Sequence, residues 1–206
     1  MFLRYYMVGD IQTNCYIAAA DGSKDCIVVD PGDYGAYIIE QAKSNGYEIS
    51  AILLTHGHFD HIQGVNEIKE KTGCKIYILD KEKELLETPR LNCSIMHKGP
   101  YSAKADVYVK DGDIINEGGL AFNVIATPGH TIGSACFYVP NEKVLFAGDT
   151  LFQMSVGRCD LPTGSERTLR ESIKNKLYIL PDDVMVYPGH GPETSIGFEK
   201  KHNYFV

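Results

Sequence analysis

Residues 51–61 read Ala51-Ile52-Leu53-Leu54-Thr55-His56-Gly57-His58-Phe59-Asp60-His61, and no other stretch narrows the chain's options as far. The apolar run 51–54 predicts a buried strand. Directly after it, three imidazoles and one carboxylate fall within six positions. Desolvating such groups at a strand end is costly unless a partner rewards them. A divalent metal is that partner, because neutral imidazole and carboxylate are its ordinary ligands. The plainer alternative is a polar loop in which Asp60 caps a helix starting near residue 62, a role compatible with serving a metal.

The rest of the chain fits an ordinary soluble protein. Its 206 residues are expected to form one domain over 1–206, long enough to bury a core without disulfides. Trp is absent, so Tyr and Phe must supply the aromatic packing. The net charge of −7 and the scattered Lys and Arg disfavour a nucleic-acid partner. Lys69-Glu70-Lys71 and Lys81-Glu82-Lys83 alternate in sign and read as solvated helix faces. The six cysteines show no Cys-x-x-Cys spacing and behave as small hydrophobes. No signal-peptide pattern opens the chain, and no apolar stretch approaches the roughly 20 residues that span a bilayer. A reduced, cytoplasmic protein without a membrane partner is the expectation.

Local pattern places strands at residues 5–8, 14–20 and 25–30, and a helix at 35–45 stopped by Gly46. A strand at 51–54 leads through the histidine loop into a helix at 62–72, ended by Gly73. A strand at 75–79 and a short helix at 80–86 follow. Residues 87–105 lack periodicity and read as a long surface loop or lid. Further strands fit 107–109, 114–116, 121–126, 134–139, 143–147 and 184–187, with a helix at 166–177. The two halves share a plan of strands, polar loop and helix. That plan predicts an α/β protein in which two mixed β-sheets pack face to face between helices, an αββα sandwich.

Polar residues recur at strand ends. His130 stands in Thr127-Pro128-Gly129-His130-Thr131 after an apolar run, Asp149 in Gly148-Asp149-Thr150, and His190 in Tyr187-Pro188-Gly189-His190-Gly191-Pro192. The glycines permit sharp turns and close backbone approach. Five of the seven histidines therefore occupy strand-terminal loops, with Asp60 and Asp149 in like settings.

The set His56-x-His58-x-Asp60-His61, His130, Asp149 and His190 resembles the ligand set of the metallo-β-lactamase-fold hydrolases. Gly148-Asp149-Thr150-Leu151-Phe152, the segment from Val156 to Pro162, and Gly189-His190-Gly191-Pro192-Glu193-Thr194 resemble the glyoxalase II-like branch. The tail Ile196-Gly197-x-Glu199-Lys200-Lys201-x-Asn203 is similar to the end of its short bacterial members. The resemblance implies two metal ions: one on His56, His58 and His130, the other on Asp60, His61 and His190, with Asp149 between them. Seven N/O donors overfill one tetrahedral zinc but suit a pair. Zinc is the first expectation, with iron or manganese as alternatives.

The implied activity is hydrolysis of small acyl thioesters by a metal-bridging hydroxide, with Asp60 holding the hydroxide and shuttling its proton. A thiolate leaves readily, its ordinary pKa being about 8.5. Arg158 falls where the family carries a basic residue toward the glutathione carboxylate; the alternative is a structural pair with Asp160. The C-terminal helical domain that completes the glutathione site in longer members is not expected here. A mononuclear-iron persulfide dioxygenase is the alternative reading, and a lactonase or other ester hydrolase on the same fold is a further one. Asp30 is a candidate for orienting a ligand histidine, or for a turn alone.

Overall fold

A computed structural model describes residues 1–206. The first sheet contains β1 (Phe2–Val8), β2 (Thr13–Ala19), β3 (Asp25–Val29), β4 (Glu48–Leu53), β5 (Lys75–Leu79) and β6 (Val107–Val109), in that spatial order. β1 to β3 pair antiparallel and β3 to β6 parallel. The second half begins with β7 (Ile114–Glu117), β8 (Leu120–Ala126), β9 (Ala135–Val139) and β10 (Val144–Gly148). A small hairpin of β11 (Leu151–Phe152) and β12 (Ser155–Val156) follows, then β13 (Met185–Pro188) and β14 (Thr194–Ser195). The second sheet runs β14-β13-β10-β9-β8-β7, with only the β13–β10 pair parallel. Both sheets are mixed, as the sequence pattern predicts.

Helices cover the outer faces: α1 (Gly35–Ser44), α2 (Phe59–Ile62), α3 (Val65–Thr72) and α4 (Lys83–Glu87), then α5 (Glu166–Ser172) and α6 (Ile196–His202). The period-two geometry of a strand sends alternate side chains to opposite faces. In β2, Cys15, Ile17 and Ala19 therefore join Ile38, Val65 and Ile68 of α1 and α3 in an outer core. Tyr16 and Ala18 instead face the second sheet. Burial on both faces explains why such strands read as continuous apolar runs. Between the sheets, Phe122, Phe137 and Phe146 are fully buried, each contributing about 1.5–3 kcal/mol. Phe146 lies 5.4 Å from Tyr16 and 6.0 Å from Tyr187, ring centre to ring centre. A third core packs Leu169, Ile173 and Leu177 onto Leu145 and Val186. No helix is long and apolar enough to cross a membrane.

Several local expectations are corrected. The helix expected over 62–72 is broken at Gly64, whose N–H bonds the Pro31 carbonyl at 2.8 Å. A Cβ on Gly64 would stand 2.8 Å from that oxygen, so the backbones touch only because it is glycine. Asp60 lies inside α2 and does not cap it. The helix at 166–177 widens into a π-turn over Ile173–Leu177. The β11–β12 hairpin and α6 carry too little periodicity to be read from sequence.

Glu82 is the largest departure. The alternating charges at 81–83 suggest a solvated face, yet Glu82 is fully buried. The signal was the spacing Leu79-x-x-Glu82-x-x-Leu85, which puts Glu82 on the inward side of its turn. Residues 87–105 are largely irregular as expected, with short turns and one 3-10 turn at Ser94–Met96. Internal hydrogen bonds tie them down, including Asn92 Nδ2 to Tyr101 O at 2.8 Å. Tyr101 accepts from the Asn66 N–H at 3.1 Å and packs against the outer core.

Candidate metal centre

β3 and β4 are adjacent and parallel, so their C-terminal ends place Asp30 beside Thr55. The Asp30 carboxylate accepts from the Thr55 N–H at 2.8 Å and from its hydroxyl at 2.6 Å. Its Oδ2 also lies 3.0 Å from His61 Nδ1. A proton on Nδ1 satisfies that contact and leaves the Nε2 lone pair facing inward. His130 is fixed the same way from the second sheet: its Nδ1 lies 2.7 Å from the Arg158 carbonyl, an oxygen that can only accept.

All seven residues singled out in the sequence converge on one point between the two sheet ends. His56, His58 and His130 form one group of donor atoms, Asp60, His61 and His190 a second, and Asp149 joins His56 and His61 in a third, each spanning no more than 4.8 Å. Asp149 stands between the sets, with Oδ1 3.3 Å from His61 Nε2 and Oδ2 3.7 Å from both His130 Nε2 and His190 Nε2. Asp60 Oδ2 is 3.2 Å from His190 Nε2 and accepts from the Thr13 hydroxyl at 3.4 Å.

The chemistry of this donor set suits a divalent metal. His130 Nε2 is 2.9 Å from His58 Nδ1 and 3.2 Å from His56 Nε2, so lone-pair atoms from three rings crowd together. His58 Nε2, His61 Nε2 and Asp149 Oδ1 are buried with no hydrogen-bond partner. Burial, with neighbouring imidazoles, pushes His58 down to about 3 and His56 well below its usual range. Both rings are thus neutral, the state a metal requires. Burial opposes charge on His61, but Asp60, Asp149 and Asp30 outweigh it and hold its pKa raised. Burial works the other way on Asp149, yet His61 above all keeps its pKa lowered. Gly189 closes the cradle, since a Cβ there would lie 2.2 Å from Asp149 Oδ1.

Residues 8–190 match the family model described as the Metallo-beta-lactamase superfamily. The chain belongs to that superfamily. It is 40% identical to the probable metallo-hydrolase YqgX of Bacillus subtilis (strain 168), covering 97% of this chain and 94% of that one. It is 32% identical to the hydroxyacylglutathione hydrolase GloC of Haemophilus influenzae, over 95% and 93% of the two chains. Among solved structures it is similar to the BLEG-1 B3 metallo-beta-lactamase, with TM-score 0.94 and 39% identity over 99% of each chain. The di-iron-bound form of TTHA1623 aligns with TM-score 0.86 and 32% identity, over 98% and 100%. ETHE1 from Myxococcus xanthus aligns with TM-score 0.83 and 27% identity, over 99% and 84%. As a superfamily member the protein is a metallo-hydrolase-type enzyme with a metal-binding site.

The donor cluster opens on a cavity of about 560 Å³ with apolar walls from Ile11, Phe59, Phe152, Val156 and Leu161. Arg158 stands at its rim, exposed, with a bidentate pair to Asp160 at 2.7 Å for each contact. The pairing with Asp160 is the structural reading of Arg158, and the same residue also lines the cavity. Cys93 also lines it, and burial raises its thiol pKa. Cys159, half-buried, lies outside this cavity. His97 and His202 are exposed and belong to none of the donor groups; His97 stacks on Phe59 at 4.7 Å.

Proposed function

We propose that this protein is a dinuclear metal-dependent hydrolase of small acyl thioesters. The observation that carries the reading is the pair of three-donor sets with Asp149 between them, set at the floor of an apolar-walled cavity. His56, His58 and His130 would hold one ion, and Asp60, His61 and His190 the other, with Asp149 shared. Zinc is the first choice; the di-iron form of TTHA1623 supports iron as the alternative. When bound, such ions lower the pKa of coordinated water to about 7 and polarise a carbonyl.

The chain's own groups define the rest. Asp60 Oδ2, held by Thr13 and His190, is the carboxylate that accepts and passes on a proton. The apolar walls seat the acyl group and shield the reacting carbonyl from bulk water. Apart from the seven donor residues, only Cys93 and Arg158 among the cavity-lining residues are ionisable. Neither is an effective general acid near neutral pH, which suits a thiolate leaving group better than an amine. Arg158 would exchange Asp160 for a carboxylate on the thiol carrier.

Similarity to GloC supports S-lactoylglutathione as the first substrate to test. A metal-loaded preparation should hydrolyse it, or a related acyl thioester, in preference to lactams and lactones. Similarity to BLEG-1 supports β-lactam hydrolysis as a second reading, and oxygen uptake with glutathione persulfide tests the dioxygenase reading. Turnover of only one of these alternatives, with no thioester cleaved, would overturn the proposal.

A further inference from the structure

The metal-site residues rest on two buried carboxylates of unequal visibility. Asp30 touches His61 directly. Glu82 lies on the other side, behind the loops that carry His56, His58 and His130. Its Oε1 accepts from the Gly57 N–H at 3.0 Å, and Gly57 is the residue between the two histidines. Its Oε2 is buried with no hydrogen-bond partner. That oxygen points toward the Thr131–Gly133 turn, directly after His130. The Thr131 hydroxyl and the Gly133 N–H lie close enough to favour the carboxylate form without closing a bond of standard geometry.

Close packing leaves Glu82 no slack. A Cβ on Gly133 would stand 2.4 Å from Glu82 Oε2 and 2.5 Å from Glu82 N. A Cβ on Gly57 would stand 3.0 Å from Leu85 Cδ2 and 3.1 Å from the Leu86 backbone. The 82–86 segment is therefore pressed against both histidine-bearing loops, one from each sheet. A fully buried carboxylate with one unpartnered oxygen is expensive to retain for packing alone. Burial pushes Glu82 up to about 7, a sign of that cost. The cluster of His56, His58 and His130 in front of it gives the negative charge a use, because a cation held there offsets the cost.

We propose that Glu82 is a positioning residue for the metal half-site of His56, His58 and His130, tying the two ligand loops in register and placing a negative charge behind them. This rests on the reading of those three histidines as ligands. It makes the two halves of the centre alike in plan: each has one buried carboxylate at its back, Asp30 acting on a ring and Glu82 through a backbone N–H.

The test compares wild type, Glu82→Gln, Glu82→Ala and His58→Ala, each purified as holoprotein. Bound metal is measured by elemental analysis and by chelator competition, and the Co(II)-substituted forms by their absorption spectra. Glu82→Ala should weaken one of the two sites by about tenfold to hundredfold, shift the Co(II) spectrum and spare the other site. Glu82→Gln, which keeps one carbonyl acceptor but not the charge, should lose less. Affinities within about twofold of wild type in both variants, with only the melting temperature lowered, would overturn the proposal by leaving Glu82 a packing role. If Glu82→Ala does not fold, Glu82→Gln alone decides by the same criterion. His58→Ala serves as the control: should it keep both ions at wild-type affinity, the ligand reading has failed rather than the role of Glu82.

Discussion

Asp30 Oδ2 lies 3.0 Å from His61 Nδ1, with both side chains buried, and the same carboxylate holds the N–H and hydroxyl of Thr55. One residue at the end of β3 thus fixes the entry of the histidine loop and the orientation of a ring inside it. Asp30 does so with φ at +49°, a left-handed backbone that aspartate and asparagine tolerate better than most residues. Asp30→Asn should therefore fold. It should weaken metal binding at the site proposed on Asp60, His61 and His190 by about tenfold to hundredfold. Chelator competition checks this, and unchanged affinity would reduce Asp30 to a turn residue.

Gly189 is expected to accept no side chain. In Gly189→Ala the new Cβ would meet Asp149 Oδ1 at 2.2 Å and His61 Cε1 at 2.6 Å. Since its φ is not in the left-handed region, the damage should come from displaced donors and not from backbone strain. Activity should fall by at least about a hundredfold, as small misplacements at a reacting centre do, while far-ultraviolet circular dichroism stays native. Metal analysis of the variant should show the loss directly.

The sign of one pH effect can be worked out. Burial raises Glu82 from 4.5 to about 7, so the folded state binds its proton more tightly than the unfolded chain. Stability from this group is fully present below about pH 4.5 and is lost as pH rises toward 7. The swing is on the order of 3 kcal/mol. Urea unfolding of wild type and Glu82→Gln in chelator, from pH 4.5 to 7.5, should give a difference that changes by this amount. A pH-independent difference would mean Glu82 does not titrate as its burial implies.

Outside the donor groups, Glu199 of α6 binds three partners. Its carboxylate accepts from Thr194 Oγ1 at 2.6 Å, Met154 N at 2.9 Å and Asn203 Nδ2 at 2.8 Å. Met154 sits in the turn of the β11–β12 hairpin, whose Phe152, Ser155 and Val156 line the cavity. Glu199→Ala should cost about 3 kcal/mol, since three donors lose their buried acceptor. That predicts a melting temperature lower by about 6–12 °C. It should also raise KM more than it lowers kcat, because the hairpin forms the wall and not the donor set.

What could be read in the sequence follows from how local each signal is. The strand at 51–54 and the donors at 56–61 announce themselves because apolar run, glycine and histidine are neighbours in the chain. His130, Asp149 and His190 follow the same strand-then-glycine rule, which marks them as candidates, while their meeting in one cluster is what the resemblance to the metallo-β-lactamase-fold hydrolases implies. The break at Gly64 was not, because its cause is the Pro31 carbonyl more than thirty positions away. Glu82 is masked differently: its flanking lysines suggest solvent and outweigh the Leu79-x-x-Glu82-x-x-Leu85 spacing, while the two glycine-bearing loops packed on it are distant in sequence. The hairpin at 151–156 and helix α6 are short, and Glu199 joins them by contacts that no local pattern reveals.

The most direct check of the proposed two-ion thioesterase activity is a titration of chelator-stripped protein with metal while S-lactoylglutathione hydrolysis is followed. Activity should climb until two equivalents per chain are bound and then level off. Saturation at one equivalent, or no thioester turnover at any loading, would contradict it.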